Sequence, residues 1–201
     1  KSYCHRLPDQ APGLWRDFDE YLTTRGLSPH IARANLWYPT SGEGLDYDYG
    51  RIVIPATSHQ EGNHFWQSRI MYDGPGDYKR YDSPYGCSTG DAVIVVYPEL
   101  NKWVDEAVVV EGPMCALAAA MTGRLGVALM GTNLPEERLD LLTRLVRGTL
   151  CYVIPDNDRR DDFVTVFAKL TNRGATCKLI IIEGAKDLAD LSPGKRHEIF
   201  R

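Results

Sequence analysis

From residue 105 onward the chain alternates short apolar runs with helical faces, and this rhythm constrains the fold more tightly than anything else in the sequence. Val108-Val-Val110, Gly126 to Met130, Leu150 to Ile154 and Leu179 to Ile182 have the length and β-branched character of buried strands. Met114 to Met121, between the first two, is small and apolar enough to pack closely as a helix. Leu139, Leu142, Leu145 and Val146 mark a helical face, with Asn133 as its N-cap and Gly148 as its stop. Phe163, Val166, Phe167 and Leu170 mark another, stopped by Gly174. Strands joined through whole helices form a parallel sheet covered on both faces, with ligands at the carboxyl ends of the strands. The spacing therefore predicts an α/β domain over residues 105–201.

Residues 1–104 read differently, as a small mixed subdomain of short helices and strands. Leu14, Phe18, Tyr21 and Leu22 share one helical face, and Gly26 suits the left-handed residue that ends it. Ser28 and Pro29 form the N-cap and first position of a second short helix reaching about Asn35. Arg51-Ile-Val-Ile-Pro55 and His64 to Tyr72 are strand-like, separated by turn material around Glu61-Gly62, and Gly74-Pro75-Gly76 ends the second. Ala92 to Tyr97 is a further apolar run.

The acidic residues of the second half collect at strand ends. Glu111 and Gly112 follow the strand Val108 to Val110, Asp156-Asn157-Asp158 follows Leu150 to Ile154, and Asp187 comes soon after Leu179 to Ile182. Three loops can thus aim carboxylates at one point, which suits hard divalent cations that take oxygen ligands and keep several waters. Two such ions hold the attacking and leaving oxygens of a phosphoryl transfer. Taken alone, Asp156 and Asp158 read equally well as caps of the following helix. The Glu-Gly at a second strand end counts against that alternative.

A basic stretch interleaved with aromatics lies in the first half: Arg69, Lys79 and Arg80 among Phe65, Trp66, Tyr72, Tyr78, Tyr81 and Tyr85. Single-stranded nucleic acid is held by cations on its phosphates and rings under its bases. In the alternative, the rings are sheet packing covered by the stems of the cations. The formal net charge of −4 excludes a binder held by bulk positive charge, so any such interaction is local. His64 reads as a packed residue, and His5 and His197 lie near the ends.

As a set, Val108-Val-Val-Glu-Gly-Pro113, Asp156-Asn-Asp158 and Lys186-Asp-Leu-Ala-Asp-Leu191 resemble the Toprim fold. That metal-binding catalytic domain is shared by DnaG-type primases, type IA and II topoisomerases and some nucleases. Gly131-Thr132 is similar to the glycine-threonine turn of the primases. The first half resembles the amino-terminal part of the primase RNA-polymerase domain through Arg25-Gly-Leu-Ser28, Arg51-Ile-Val-Ile-Pro55, Arg69 and Lys79-Arg-Tyr-Asp-Ser-Pro84. The resemblance runs in order from about Tyr21 to Leu191. It departs at Cys115, where many primases have an acidic residue, at Ala189, where some have a second aspartate, and at Asp82, where cellular enzymes tend to have asparagine. The reduced acidic set resembles that of phage primases.

The resemblance implies a primase core that makes short RNA primers from ribonucleoside triphosphates on single-stranded DNA. Glu111, Asp156 and Asp158 would be catalytic, the same three with Asp187 would hold Mg²⁺ or Mn²⁺, and Arg51, Arg69, Lys79, Arg80 and Tyr81 would line the groove for template and nucleotide. A replicative helicase, and a zinc ribbon upstream or in trans, are the expected protein partners. Cys4, Cys87, Cys115, Cys151 and Cys177 include no CxxC pair, so no zinc is expected within this chain. Cys4 and His5, in a chain opening on Lys1, are read as an ordinary thiol and tail or as the remnant of such a ribbon. No apolar run approaches a membrane span of about 20 residues, and no signal-like segment opens the chain, so a cytoplasmic protein without membrane contact is expected, and the resemblance implies a bacterium or phage-infected cell. The alternatives are a Toprim-type metal-dependent nuclease, a topoisomerase fragment, which would lack the module carrying its nucleophilic tyrosine, and a non-catalytic single-stranded DNA-binding module, for which Cys115 and Ala189 speak.

Overall fold

The β-branched runs of the second half do form a parallel sheet, and in the computed structural model that sheet continues without a break into the first half. The structure describes residues 7–41, 50–58, 65–72, 79–84, 90 and 92–201. The turns expected at Glu61-Gly62 and Gly74-Pro75-Gly76, and Cys4, His5, His64, Tyr78, Tyr85 and Cys87, lie outside these residues.

The strands are β1 (Tyr38–Thr40), β2 (Arg51–Ser58), β3 (Phe65–Ile70), β4 (Tyr81–Asp82), β5 (Ala92–Val96), β6 (Glu106–Val110), β7 (Leu125–Ala128), β8 (Leu150–Val153) and β9 (Thr176–Leu179). They run in the spatial order β4-β3-β2-β5-β7-β6-β8-β9, with β1 paired to β2. β7, β6, β8 and β9 are mutually parallel; β2 with β3, and β5 with both β2 and β7, are antiparallel. β5 is the join: Val93 pairs with Thr57 on one side and Val96 with Gly126 on the other.

The helices are α1 (Trp15–Thr24), α2 (Pro29–Ala34), α3 (Pro113–Ala120), α4 (Glu136–Leu145), α5 (Arg160–Asn172) and α6 (Pro193–Glu198). Period-2 alternation divides the parallel strands between two cores. Val108, Val110, Tyr152 and Ile154 face α1, α2 and α3, whereas Ala107, Val109, Cys151 and Val153 face α4 and α5 through Leu139, Leu142, Phe163, Val166 and Leu170. Each large side chain so buried contributes about 1.5 to 3 kcal/mol.

α3 is buried on every side, which its Pro-Met-Cys-Ala-Leu-Ala-Ala-Ala sequence permits because the small side chains let the helix approach the sheet. A Cβ on Gly126 of β7 would lie 2.0 Å from the carbonyl oxygen of Ala116. The helices predicted near residues 14–24 and 29–35 are present, and the Ser28 side chain accepts from the Ile31 N–H as a cap.

Two local expectations are corrected. Asn133 does not cap α4; Pro135 holds the N-cap position, with the extended backbone that proline favours. The last strand is Thr176–Leu179 and not Leu179 to Ile182. β9 is the sheet's edge strand, so it alternates exposed and half-buried residues, while Ile182 turns into the core beyond its end.

Candidate functional site

The carboxyl ends of β6, β7 and β8 open into a cleft of about 1030 Å³. Glu111, Asp156, Asp158 and Asp187 all line it. The Ile154 N–H still bonds to Val109, so the sheet ladder carries β8 up to the turn that presents Asp156. Asn157 then ties the two acidic loops together: its N–H donates to the Lys186 carbonyl at 3.0 Å and its side-chain amide donates to the Ala185 carbonyl. Asp187 is oriented by its own loop, one carboxylate oxygen accepting from the N–H groups of Ala189 at 2.9 Å and Asp190 at 3.1 Å.

Within the cleft, oxygens of Asp156 and Asp187 lie with the Cys115 sulfur within 4.8 Å of one another. Cys115 comes from the first turn of α3 and is 4 % exposed. Burial pushes the Asp156 carboxyl up to about 7, and the charges of Asp187, Glu111 and Asp158 act in the same direction, with Lys186 opposing them. Burial also raises Glu111, with Asp158 and Asp162 adding and Arg159 and Lys186 opposing. No described residue donates a hydrogen bond to the Asp156 side chain. Crowded carboxylates with too few cations among them fit a divalent metal ion, which would relieve the repulsion and satisfy the oxygens. The alternative in which the DxD caps the next helix fails, because Arg159 is the N-cap of α5 and makes no side-chain cap bond.

The same cleft also has cations in its lining. Arg25, Arg69, Arg80, Lys186 and Arg196 line the cleft, as does Tyr81. The Arg69 guanidinium sits 4.8 Å from the Tyr81 ring centre and donates to the Tyr21 hydroxyl. Burial pushes the Tyr81 hydroxyl well up, so it stays a neutral donor. Arg196 donates to the carbonyls of Gly26 at 2.7 Å and Ala189 at 2.6 Å, clipping the turn after α1 to the Asp187 loop.

Arg51 is not a groove residue. It is fully buried and holds β4 in place, donating to Ser68 Oγ at 2.9 Å and to the Lys79 carbonyl at 3.2 Å. Lys79 does not line the cleft either; its side chain is exposed, 3.8 Å from Asp82. Phe65 and Trp66 are buried within the sheet, so those two rings are packing. Arg25, Lys186 and Arg196 line the groove without having been expected there. Arg25 and Lys186 stand in the Arg-Gly-Leu-Ser and Lys-Asp-Leu-Ala motifs, but a buried arginine on a short helix, as at Arg196, has no periodicity to mark it.

Strand-end carboxylates of a parallel sheet and several cations thus line one cleft. Residues 108–192 match the family described as Toprim-like. Beyond that segment the whole arrangement is the fold of DnaG primase catalytic cores. The E. coli primase catalytic core superposes with a TM-score of 0.66 at 18 % identity, covering 94 % of this chain and 72 % of that one. A DnaG primase catalytic domain bound to single-stranded DNA gives 0.65 at 17 %, covering 95 % and 71 %. In sequence, a DNA primase of Listeria monocytogenes is 28 % identical in an alignment that covers 74 % of this chain and 24 % of that relative. The chain thus spans about a quarter of the length of the curated relative it matches. Among the described residues no helix is long and apolar enough to cross a membrane.

Proposed function

We propose that this chain is the catalytic core of a primase, joining ribonucleoside triphosphates into short RNA on a single-stranded DNA template. The observation that carries the reading is the meeting of Glu111, Asp156, Asp158 and Asp187 in one cleft with Arg69, Arg80 and Tyr81. The similarity to primases in both sequence and fold supports it. Glu111, Asp156, Asp158 and Asp187 would hold Mg²⁺ or Mn²⁺; when bound, such ions neutralise phosphate charge and lower the pKa of a coordinated hydroxyl.

The chain's own residues do the rest. Asn157 and the Asp187 loop keep the carboxylates in place. Arg80 and Lys186 would meet phosphates in the cleft, and Tyr81, with Arg69 packed against its ring, would meet a base. On this reading residues 1–104 supply the template wall and residues 105–201 the metal chemistry, in the cytoplasm beside a replicative helicase and a template-reading zinc ribbon.

A primer-extension assay with labelled ribonucleotides tests the reading. Glu111→Gln and Asp156→Asn should each lower synthesis by about 100-fold or more while keeping the wild-type circular dichroism spectrum. Near wild-type synthesis by either variant would falsify the assigned site. Metal-dependent shortening of labelled DNA without extension would instead favour the nuclease reading.

A further inference from the structure

We infer that Cys151 and Cys177 are a redox-active pair, closing reversibly into a disulfide when the protein meets a hydroperoxide, with Cys177 reacting first and Cys151 completing the bond. Nothing in this depends on the reaction assigned to the cleft.

The pairing follows from the register of the sheet. Cys151 of β8 stands directly across from Cys177 of β9 in the parallel ladder, so both side chains point to the same face. That face is the core shared with α4 and α5, where Cys177 packs against the cluster that holds Cys151. Neighbouring strands lie about 4.8 Å apart, inside the span of about 4.4 to 6.8 Å between α-carbons that a disulfide bridges. Both thiols are free. Cys115, the third cysteine among the described residues, belongs to the core on the other side of the sheet.

The two sulfurs are not equivalent. Cys151 is fully buried in an interior strand, whereas Cys177 is half-buried on β9, the edge strand. A cavity of about 720 Å³, lined by Leu150, Ala175 and Thr176, opens at the amino ends of the two strands and gives a molecule the size of a peroxide room to approach. The hydrogen bond from the Cys151 thiol pushes the Cys177 thiol down to about 7, with the Thr171 side chain acting in the same direction and burial against it. That hydrogen bond and burial push Cys151 up, so it stays a neutral thiol. The thiolate is the nucleophile, so Cys177 attacks first.

Cys177 takes one oxygen from the peroxide and becomes a sulfenic acid, and the other oxygen leaves as water. The Cys151 sulfur then displaces the bound oxygen as a second water, its own proton leaving with it, and the S–S bond closes. Two thiols and one peroxide thus give one disulfide and two waters, with two electrons passing from sulfur to oxygen. The bond ties β9, which leads to the Asp187 loop, to β8, which leads to Asp156.

The test is peptide mapping of the reduced protein after brief exposure to one equivalent of hydrogen peroxide and alkylation of the remaining thiols. Wild type should yield a peptide pair joining Cys151 to Cys177, two hydrogens lighter than the free peptides together and separated again by dithiothreitol, while Cys115 is recovered as an alkylated thiol. Cys177→Ser should lose the link and leave Cys151 a thiol. Cys151→Ser, or Cys151→Ala should the core tolerate the hydroxyl poorly, should stop at the sulfenic acid on Cys177, trapped there by dimedone. The absence of a Cys151–Cys177 link in wild type would overturn the proposal, as would a link between the Cys177 residues of two chains in its place. Sulfenic acid on Cys151 in Cys177→Ser would overturn it through the order of attack.

Discussion

At Asp156, burial and the neighbouring charges of Asp187, Glu111 and Asp158 push in one direction, and the carboxyl stays protonated up to about 7. In the unfolded chain it would release its proton near the ordinary aspartate value of about 4. Between those limits the folded state binds more protons than the unfolded one, so the contribution of this group to stability is full below the lower limit and lost as pH rises through the upper. Thermal melts of the metal-free protein at pH 5 and pH 8 should show Asp156→Asn gaining on wild type at the higher pH. An equal difference at both would mean that the carboxylates do not feel one another. The four acidic residues were legible in the sequence because each follows a strand, and strand ends on a parallel sheet converge. Arg51 reads in the sequence as a groove residue for a physical reason: arginine is rarely buried completely, so one that opens an apolar strand looks like surface. Here it is retained inside because β4 has only two residues, and its carbonyl-rich approach needs a donor.

Among the elements, α3 packs closely on β7 at Gly126, and the sequence showed the small residues but not how they meet. Gly126→Ala would place a methyl carbon against the Ala116 backbone, where neither side can move as a flexible side chain would. A drop in stability of about 3 kcal/mol or more is expected, measured by chemical denaturation, and a drop under 1 kcal/mol would show that helix and strand can separate cheaply. Arg51→Ala should act through β4 instead. Removing its bonds to Ser68 and to the Lys79 carbonyl is expected to lower stability by about 2 to 4 kcal/mol, measured by chemical denaturation, and a loss under 1 kcal/mol would show that β4 does not depend on it. The position of β9 was hidden for a different reason: its most apolar neighbours, Ile180 to Ile182, lie beyond the strand, and an edge strand need bury only part of each residue.

For the molecule as a whole, a net charge of −4 means that the nucleic-acid binding proposed above would rest on the cations of the cleft. Arg80→Ala should therefore weaken binding to single-stranded DNA and flatten the log–log salt slope by about 0.7 for the one phosphate left without its cation, with Lys79→Ala, outside the cleft, changing it less. Equal slopes for both variants would separate these cations from DNA binding. The change of character near residue 105 was visible in the sequence, but the pairing that crosses it was not, because β5 pairs with strands on both sides of that point. β5 closes the sheet against β7 while the chain that follows it leads away to β6. A chain cut after residue 104 would consequently keep its two halves zipped together by the Ile94, Val95 and Val96 ladder. Residues 1–104 and 105–201 made separately should each stay unfolded, and the same two fragments made together should reassemble and elute as one particle.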